Sequence, residues 1–205
     1  MLVCQYGQCP RVGLTVRCRA GVNHRRHAGV LNGNSHHERR GRSITTTVNG
    51  WSSIRKCGQP GNGILVRAAC AKALPVVNVF DEAAYWTTTT DGSGQTLSGR
   101  HEYVLHFPAG QLPPNDAFWS LTPTDVVGYM VNNPTDRYSV GDRSPLAENA
   151  DGSVDIYLQQ KVPRGDEQNW LPTPAGNFKL MLRAYLPGAA ILNGTYRVPQ
   201  VVKAQ

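Results

Sequence analysis

The feature that most constrains the fold is an alternation of nine residues near the C-terminus, FKLMLRAYL at 178–186. Phe178, Leu180, Leu182, Ala184 and Leu186 fall on one side of an extended chain. Lys179, Met181, Arg183 and Tyr185 fall on the other. A period of two marks a strand with one buried face. The pattern recurs over Val154–Gln160, with Val154, Ile156 and Leu158 opposite Asp155, Tyr157 and Gln159. Shorter β-rich runs lie at Tyr103–Phe107, Phe118–Thr122 and Val126–Val131, and a last strand is expected over Tyr196–Val202. Turn signals separate them: Asp91–Gly94, PPND at 113–116, Asn133-Pro134 and Asp151-Gly152. Ile64–Leu74 is Ala-rich and stopped by Pro75, which predicts a short helix, and Pro187–Asn193 predicts one further helical turn. Short strands without βαβ alternation predict an all-β, jelly-roll-like β-sandwich carrying a short N-terminal helix.

Charge divides the chain. Residues 1–80 hold twelve Lys and Arg against one acid, Glu38, whereas residues 81–205 hold nine against thirteen acids. The formal net charge of +7 therefore belongs to the front, and the β-rich part is mildly acidic. That argues against a nucleic-acid-binding fold, which displays its basic charge on the folded surface. Residues 1–62 show little apolar periodicity and are expected to be disordered, leaving 63–205 as the domain. Nine Arg against one Lys in the first sixty residues, with scattered Cys and His, suggest non-native sequence of the kind out-of-frame translation produces. Competing readings are a basic arm built on Arg25, Arg26, Arg39, Arg40 and Arg42, and a metal site at Cys4, Cys9, Cys18, His24 and His27. The five cysteines all precede residue 71 and include no CxxC pair, so a domain independent of disulfides is expected. No membrane span or signal peptide is visible, which leaves the compartment open with the cytoplasm as default.

YVLHFPAGQLPPNDAFWSLT, GYMVNNPTDRYSVGDRSP, NADGSVDIYLQQ and NWLPTPAGNFKLMLRAY, in that order, resemble the family called domain of unknown function 1214. The resemblance runs from about Ile64 to Gln205. It implies a jelly-roll-like sandwich of bacterial type, usually following a domain of unknown function 1254. Residues 1–60 look nothing like that preceding domain, so a truncated protein is expected. The family pattern after FWSLT is of Met-Tyr-Asp type, whereas Pro123 and Thr124 stand before Asp125 here. The resemblance carries no catalytic residues.

The densest polar group is Asp125, Asn132, Asn133, Asp136, Arg137, Tyr138, Asp142 and Arg143. Arg137 or Arg143 suits bidentate capture of a carboxylate or phosphate, and Asp125 or Asp142 suits acid–base work or a cation. The same residue types also form turns and caps. Ordinary core and rim packing is the first reading of Trp119, Tyr129, Tyr138, Tyr157 and Trp170, and an aromatic platform the functional alternative, with Trp170 the best candidate for a partly exposed ring. Rings beside Asn, Asp and Arg suit a sugar. His106 reads as a packed or hydrogen-bonded residue, and no serine sits in a nucleophile elbow. The expected ligand-binding set is therefore Trp119, Asp125, Asn133, Arg137, Tyr138, Asp142, Arg143 and Trp170, with no metal and no cofactor. The leading expectation is a ligand-binding or accessory module for a polar, carbohydrate-like ligand. The alternatives are a hydrolase or lyase using acids near Arg137, and a structural fragment whose protein partner replaces the missing upstream domain.

Overall fold

The computed structural model describes residues 45–73 and 77–204. In chain order the elements are β1 (Thr46–Val48), β2 (Trp51–Ser53), α1 (Ile64–Ala73), β3 (Ala83–Thr88), β4 (Tyr103–Phe107) and β5 (Asn115–Asp125). Then follow β6 (Val140–Gly141), β7 (Val154–Gln159), β8 (Trp170–Pro172), β9 (Phe178–Pro187), α2 (Ala189–Leu192) and β10 (Val201–Lys203). The strands form two sheets, ordered β1-β2-β3-β9-β5-β6 and β10-β4-β7-β8. Alternating apolar residues leave each sheet one face to bury, and the two faces bury against each other. Leu121, Leu180 and Leu182 of the large sheet share one core with Leu105, Ile156 and Leu158 of the small one. Across the layers Phe107 meets Trp119 with ring centroids 5.8 Å apart, and Tyr103 meets Phe178 at 6.0 Å. The described residues thus form a mostly β sandwich.

β9 is the spine of the large sheet, paired antiparallel with β3 on one edge and β5 on the other. Phe178, Leu180, Leu182 and Ala184 are fully buried, as the alternation predicts. Leu186 departs from the pattern: it is 49 % exposed at φ 49°, so the strand twists off its face at its end. The predicted turn at Asp91–Gly94 closes on an Asp91 carboxylate that accepts from the Ser93 and Gln95 amides. The turn at Asp151-Gly152 does the same with Ser153. The last strand is shorter than predicted, Val201–Lys203 only.

Three expectations are corrected. Val126–Val131 is not a strand but an exposed loop. Gly128, at φ 117°, turns the chain, and β6 pairs with β5 only at Ser120 and Leu121, so no strand partner faces 126–131. Within residues 1–62, expected to be disordered, the described residues from Thr46 to Ser53 form a hairpin on the edge of the large sheet. Asn49 and Gly50 both take positive φ, the geometry of a tight turn that matches strand twist, and Trp51 buries into the core. The basic-arm and metal-site readings fall on 1–44, outside the described residues. Finally, Cys57 and Cys70 form a disulfide that ties the segment after β2 to α1. The fold therefore does include a disulfide, since Cys70 lies on α1 and Cys57 on the segment before it. No helix among the described residues is long and apolar enough to cross a membrane.

Candidate functional site

The residues that the sequence groups by composition come apart in the fold. Trp119 is 2 % exposed and belongs to the core. Trp170 is 6 % exposed rather than a partly free ring, because parallel pairing of β8 with β7 draws it inward. Its indole N–H donates to the Gln159 carbonyl at 2.8 Å.

Asp125 ends β5. One of its carboxylate oxygens accepts from the backbone N–H groups of Val127 (2.9 Å), Gly128 (2.7 Å) and Tyr129 (2.9 Å). The Tyr129 and Gly128 amides lead in holding this carboxyl below its usual pKa range. That is loop anchoring. The Asp142 carboxylate accepts weakly from the Trp119 amide at 3.4 Å. Neither acid lines a cleft with Arg137.

Asn133 organises the turn that follows. Its side-chain oxygen accepts from the Thr135 and Arg137 amides, and its amide group donates to the Arg137 carbonyl. Asp136 sits at φ 51°, a conformation Asp tolerates. Arg137 then reaches across the surface. Its guanidinium donates to the Glu167 carbonyl at 2.6 Å and to the Gln168 carbonyl. Desolvation draws its pKa below the ordinary guanidinium value. Arg137 thus clamps the loop before β6 to the 3-10 turn Glu167–Asn169. Gly141 completes the anchoring, since a Cβ there would stand 2.1 Å from the Trp119 carbonyl oxygen. Only glycine lets β6 approach β5 so closely.

This clamp encloses an open cleft of about 690 Å³. Four expected residues line it: Arg137, Tyr138, Arg143 and Trp170. Asp136, Ser139, Ser144, Val162 and Glu167 join them. The Tyr138 hydroxyl donates to Asp136 at 3.2 Å. Desolvation, then the Asp136 carboxylate, raises the phenol pKa, so the hydroxyl stays protonated. Arg143 lies over the Phe118 ring at 4.6 Å, a cation–π contact. Behind Arg137 and Tyr138 is a void of about 20 Å³ that Thr173 also lines, and the buried Thr173 hydroxyl has no hydrogen-bond partner.

The other aromatic candidates do not converge here. Tyr129 is 69 % exposed on the 126–131 loop. Tyr157 alternates to the outer face of the small sheet, opposite Val104. His106 is half exposed and hydrogen-bonded, its Nδ1 2.7 Å from Asp155. Among the described residues no three His, Cys, Asp or Glu gather where they would hold a metal. Glu167, Val162 and Ser144 are cleft residues outside the expected set, and Glu167 reaches the cleft through the Arg137 clamp.

These features define the chain as a β-sandwich domain with a lateral polar cleft. Residues 82–189, just over half of the chain, match the family Protein of unknown function (DUF1214), and the chain belongs to that family. The crystal structure of the VPA0106 protein from Vibrio parahaemolyticus is similar at a TM-score of 0.59 and 31% identity, over 68% of this chain and 35% of that one. An uncharacterised protein from Burkholderia cenocepacia overlaps at a TM-score of 0.40 and 18% identity, over 60% of this chain and 29% of that one. The chain therefore spans about a third of the length of the Vibrio protein. No curated protein matches it.

Proposed function

We propose that this domain is a binding module for a polar, carbohydrate-like ligand, held in the cleft between the 133–145 loop and the Glu167–Asn169 turn. The observation that carries the reading is the makeup of that cleft. Hydroxyls from Tyr138, Ser139 and Ser144 line it beside Asp136, Glu167 and the guanidinium of Arg143. A sugar needs alternating donors and acceptors beside some apolar surface, which Val162, Pro145 and Trp170 supply. Asp125 and Asp142, the acids named for the hydrolase or lyase reading, lie outside this cleft and accept from backbone amides. The test is calorimetric titration with neutral and acidic oligosaccharides against wild type, Tyr138→Phe and Arg143→Ala. Saturable binding weakened by both substitutions supports the cleft. Binding indifferent to both, or heat from none of the sugars, removes it.

A second reading, an accessory domain of a larger protein, rests on a separate observation. Val126, Val127, Tyr129, Met130 and Val131 are 40–73 % exposed along one loop. Consecutive exposed apolar side chains on a monomer commonly mark a contact surface. A partner domain would cover this loop, and adding one would protect its amides from hydrogen exchange.

A further inference from the structure

A second pocket lies at the other end of the large sheet, where the β1–β2 hairpin meets β3 and the arm that leads into β10. It encloses about 120 Å³. Trp51, Phe80, Trp86 and Tyr196 line it. Trp86 and Tyr196 meet edge to face, with centroids 6.1 Å apart.

The polar groups around these rings fall into two kinds. The first kind is already satisfied. The Trp51 indole N–H donates to the Pro199 carbonyl at 2.7 Å, and the Tyr196 hydroxyl donates to the Gln111 carbonyl at 3.3 Å. Burial raises the Tyr196 pKa, which keeps that hydroxyl protonated. The second kind is not satisfied. Ser53 is 7 % exposed, and its hydroxyl has no hydrogen-bond partner. A buried hydroxyl left unpaired is costly, so a pocket that contains one favours a ligand able to pair with it. Arg55 and Arg197 also line the pocket. Arg55 gives one N–H to the Leu192 carbonyl and stacks over Phe80 at 4.2 Å. Arg197 spends its contacts on the Gly194 and Tyr196 carbonyls. Neither pairs with a carboxylate among the described residues, and no acid lines the pocket. A guanidinium has five N–H donors, so each retains donors for an anion.

We propose that this pocket binds a small aromatic carboxylate. The size fixes the body of the ligand. At about 120 Å³ the pocket is smaller than the void of about 150 Å³ that holds benzene, so its apolar part admits nothing larger than one ring. The four aromatic side chains favour a flat ring by edge-to-face and stacked contact. The unpaired Ser53 hydroxyl and the two arginines fix its substituent, because a carboxylate accepts from both donor types at once. This site is independent of the cleft on the opposite loops and stands or falls without it.

The test uses the full chain labelled with 15N and titrated with benzoate, then with benzyl alcohol as its neutral counterpart. The expected result is saturable movement of the Trp51 and Trp86 indole N–H signals by benzoate, with the Trp119 signal unchanged. Benzyl alcohol is expected to bind at least about tenfold more weakly, the loss of a charge-assisted hydrogen bond. Ser53→Leu fills the pocket and is expected to abolish the shifts. Should that variant fail to fold, Arg55→Gln with Arg197→Gln changes exposed side chains only, and benzoate binding should weaken by at least about tenfold. No saturable shift with benzoate overturns the proposal. Equal binding of the alcohol, or full binding by the arginine double variant, overturns it as well.

Discussion

Two apolar stretches of similar composition meet opposite fates in this protein. FKLMLRAYL becomes β9, the most heavily paired strand, with four side chains fully buried. VVGYMV at 126–131 becomes an exposed loop. Both are rich in β-formers, so propensity does not separate them. Two things do. β9 alternates strictly and has a partner on each edge, whereas 126–131 is apolar at nearly every position and faces no strand. The loop also begins at a carboxylate that offers its backbone three hydrogen bonds outside any ladder. A strand is specified by pairing as much as by the residues in it.

The largest effect that would sharpen this contrast is Leu182→Ala. Leu182 is fully buried and stands between Trp86 of β3 and Leu121 of β5. Truncation removes the transfer energy of the side chain and leaves a cavity, a loss of about 3–4 kcal/mol. Urea unfolding should show a lower midpoint at unchanged slope. A loss under about 1 kcal/mol would mean the core closes over the gap, and β9 would not be the spine described here.

Asp125→Ala comes next, and its effect is local. The Val127, Gly128 and Tyr129 amides lose their acceptor, so their hydrogen exchange should accelerate while exchange in β9 stays as it was. Acid should mimic the substitution. The Asp125 pKa is lowered in the folded chain, first by the Tyr129 and Gly128 amides. A depressed carboxyl contributes stability above its unfolded pKa of about 3.9, and that stability is lost as pH falls through the lower folded value. Exchange at these three amides, corrected for intrinsic rates, should therefore rise below about pH 4 in wild type and not in Asp125→Ala. Equal pH dependence in both proteins would remove Asp125 as the anchor.

The sandwich was legible where pattern and pairing agree. Val154–Gln159 and Phe178–Pro187 alternate, and both are strands. The turns at Asp91 and Asp151 were legible because a glycine directly follows each aspartate. Asp125 uses the same chemistry, yet Gly128 lies three residues on, and its carboxylate reads from sequence as a free acid. The Asn49-Gly50 hairpin carries a clear turn signal but sits in a basic, apolar-poor segment that masks it. That is why the aromatic pocket, which needs Trp51 and Ser53, escapes a reading from sequence. At the cleft, Arg137, Tyr138 and Arg143 are neighbours in sequence and were found together. Glu167 is thirty residues from Arg137 and joins it only through a backbone carbonyl, which no side-chain pattern announces. Trp119 packs in the core as an aromatic ring on a strand is expected to, whereas Trp170, expected to be partly exposed, is drawn in by the strand it pairs with.

The smallest effect on stability should come from the loop that looks most like core. Tyr129→Ser with Met130→Ser removes two large apolar side chains that are 69 % and 61 % exposed. Exposed side chains contribute little to folding, so the midpoint should move by less than about 0.5 kcal/mol. Binding of a hydrophobic dye, by contrast, should fall, because Tyr129 and Met130 are among the large exposed apolar side chains. The two readouts separate the alternatives. A stability loss of about 2 kcal/mol or more would mean the loop packs on the sandwich like a strand, and the contrast with β9 would fail. Unchanged stability with reduced dye binding would leave the loop as surface held in place by Asp125 and free to meet a partner, and β9 as the strand that holds the domain together.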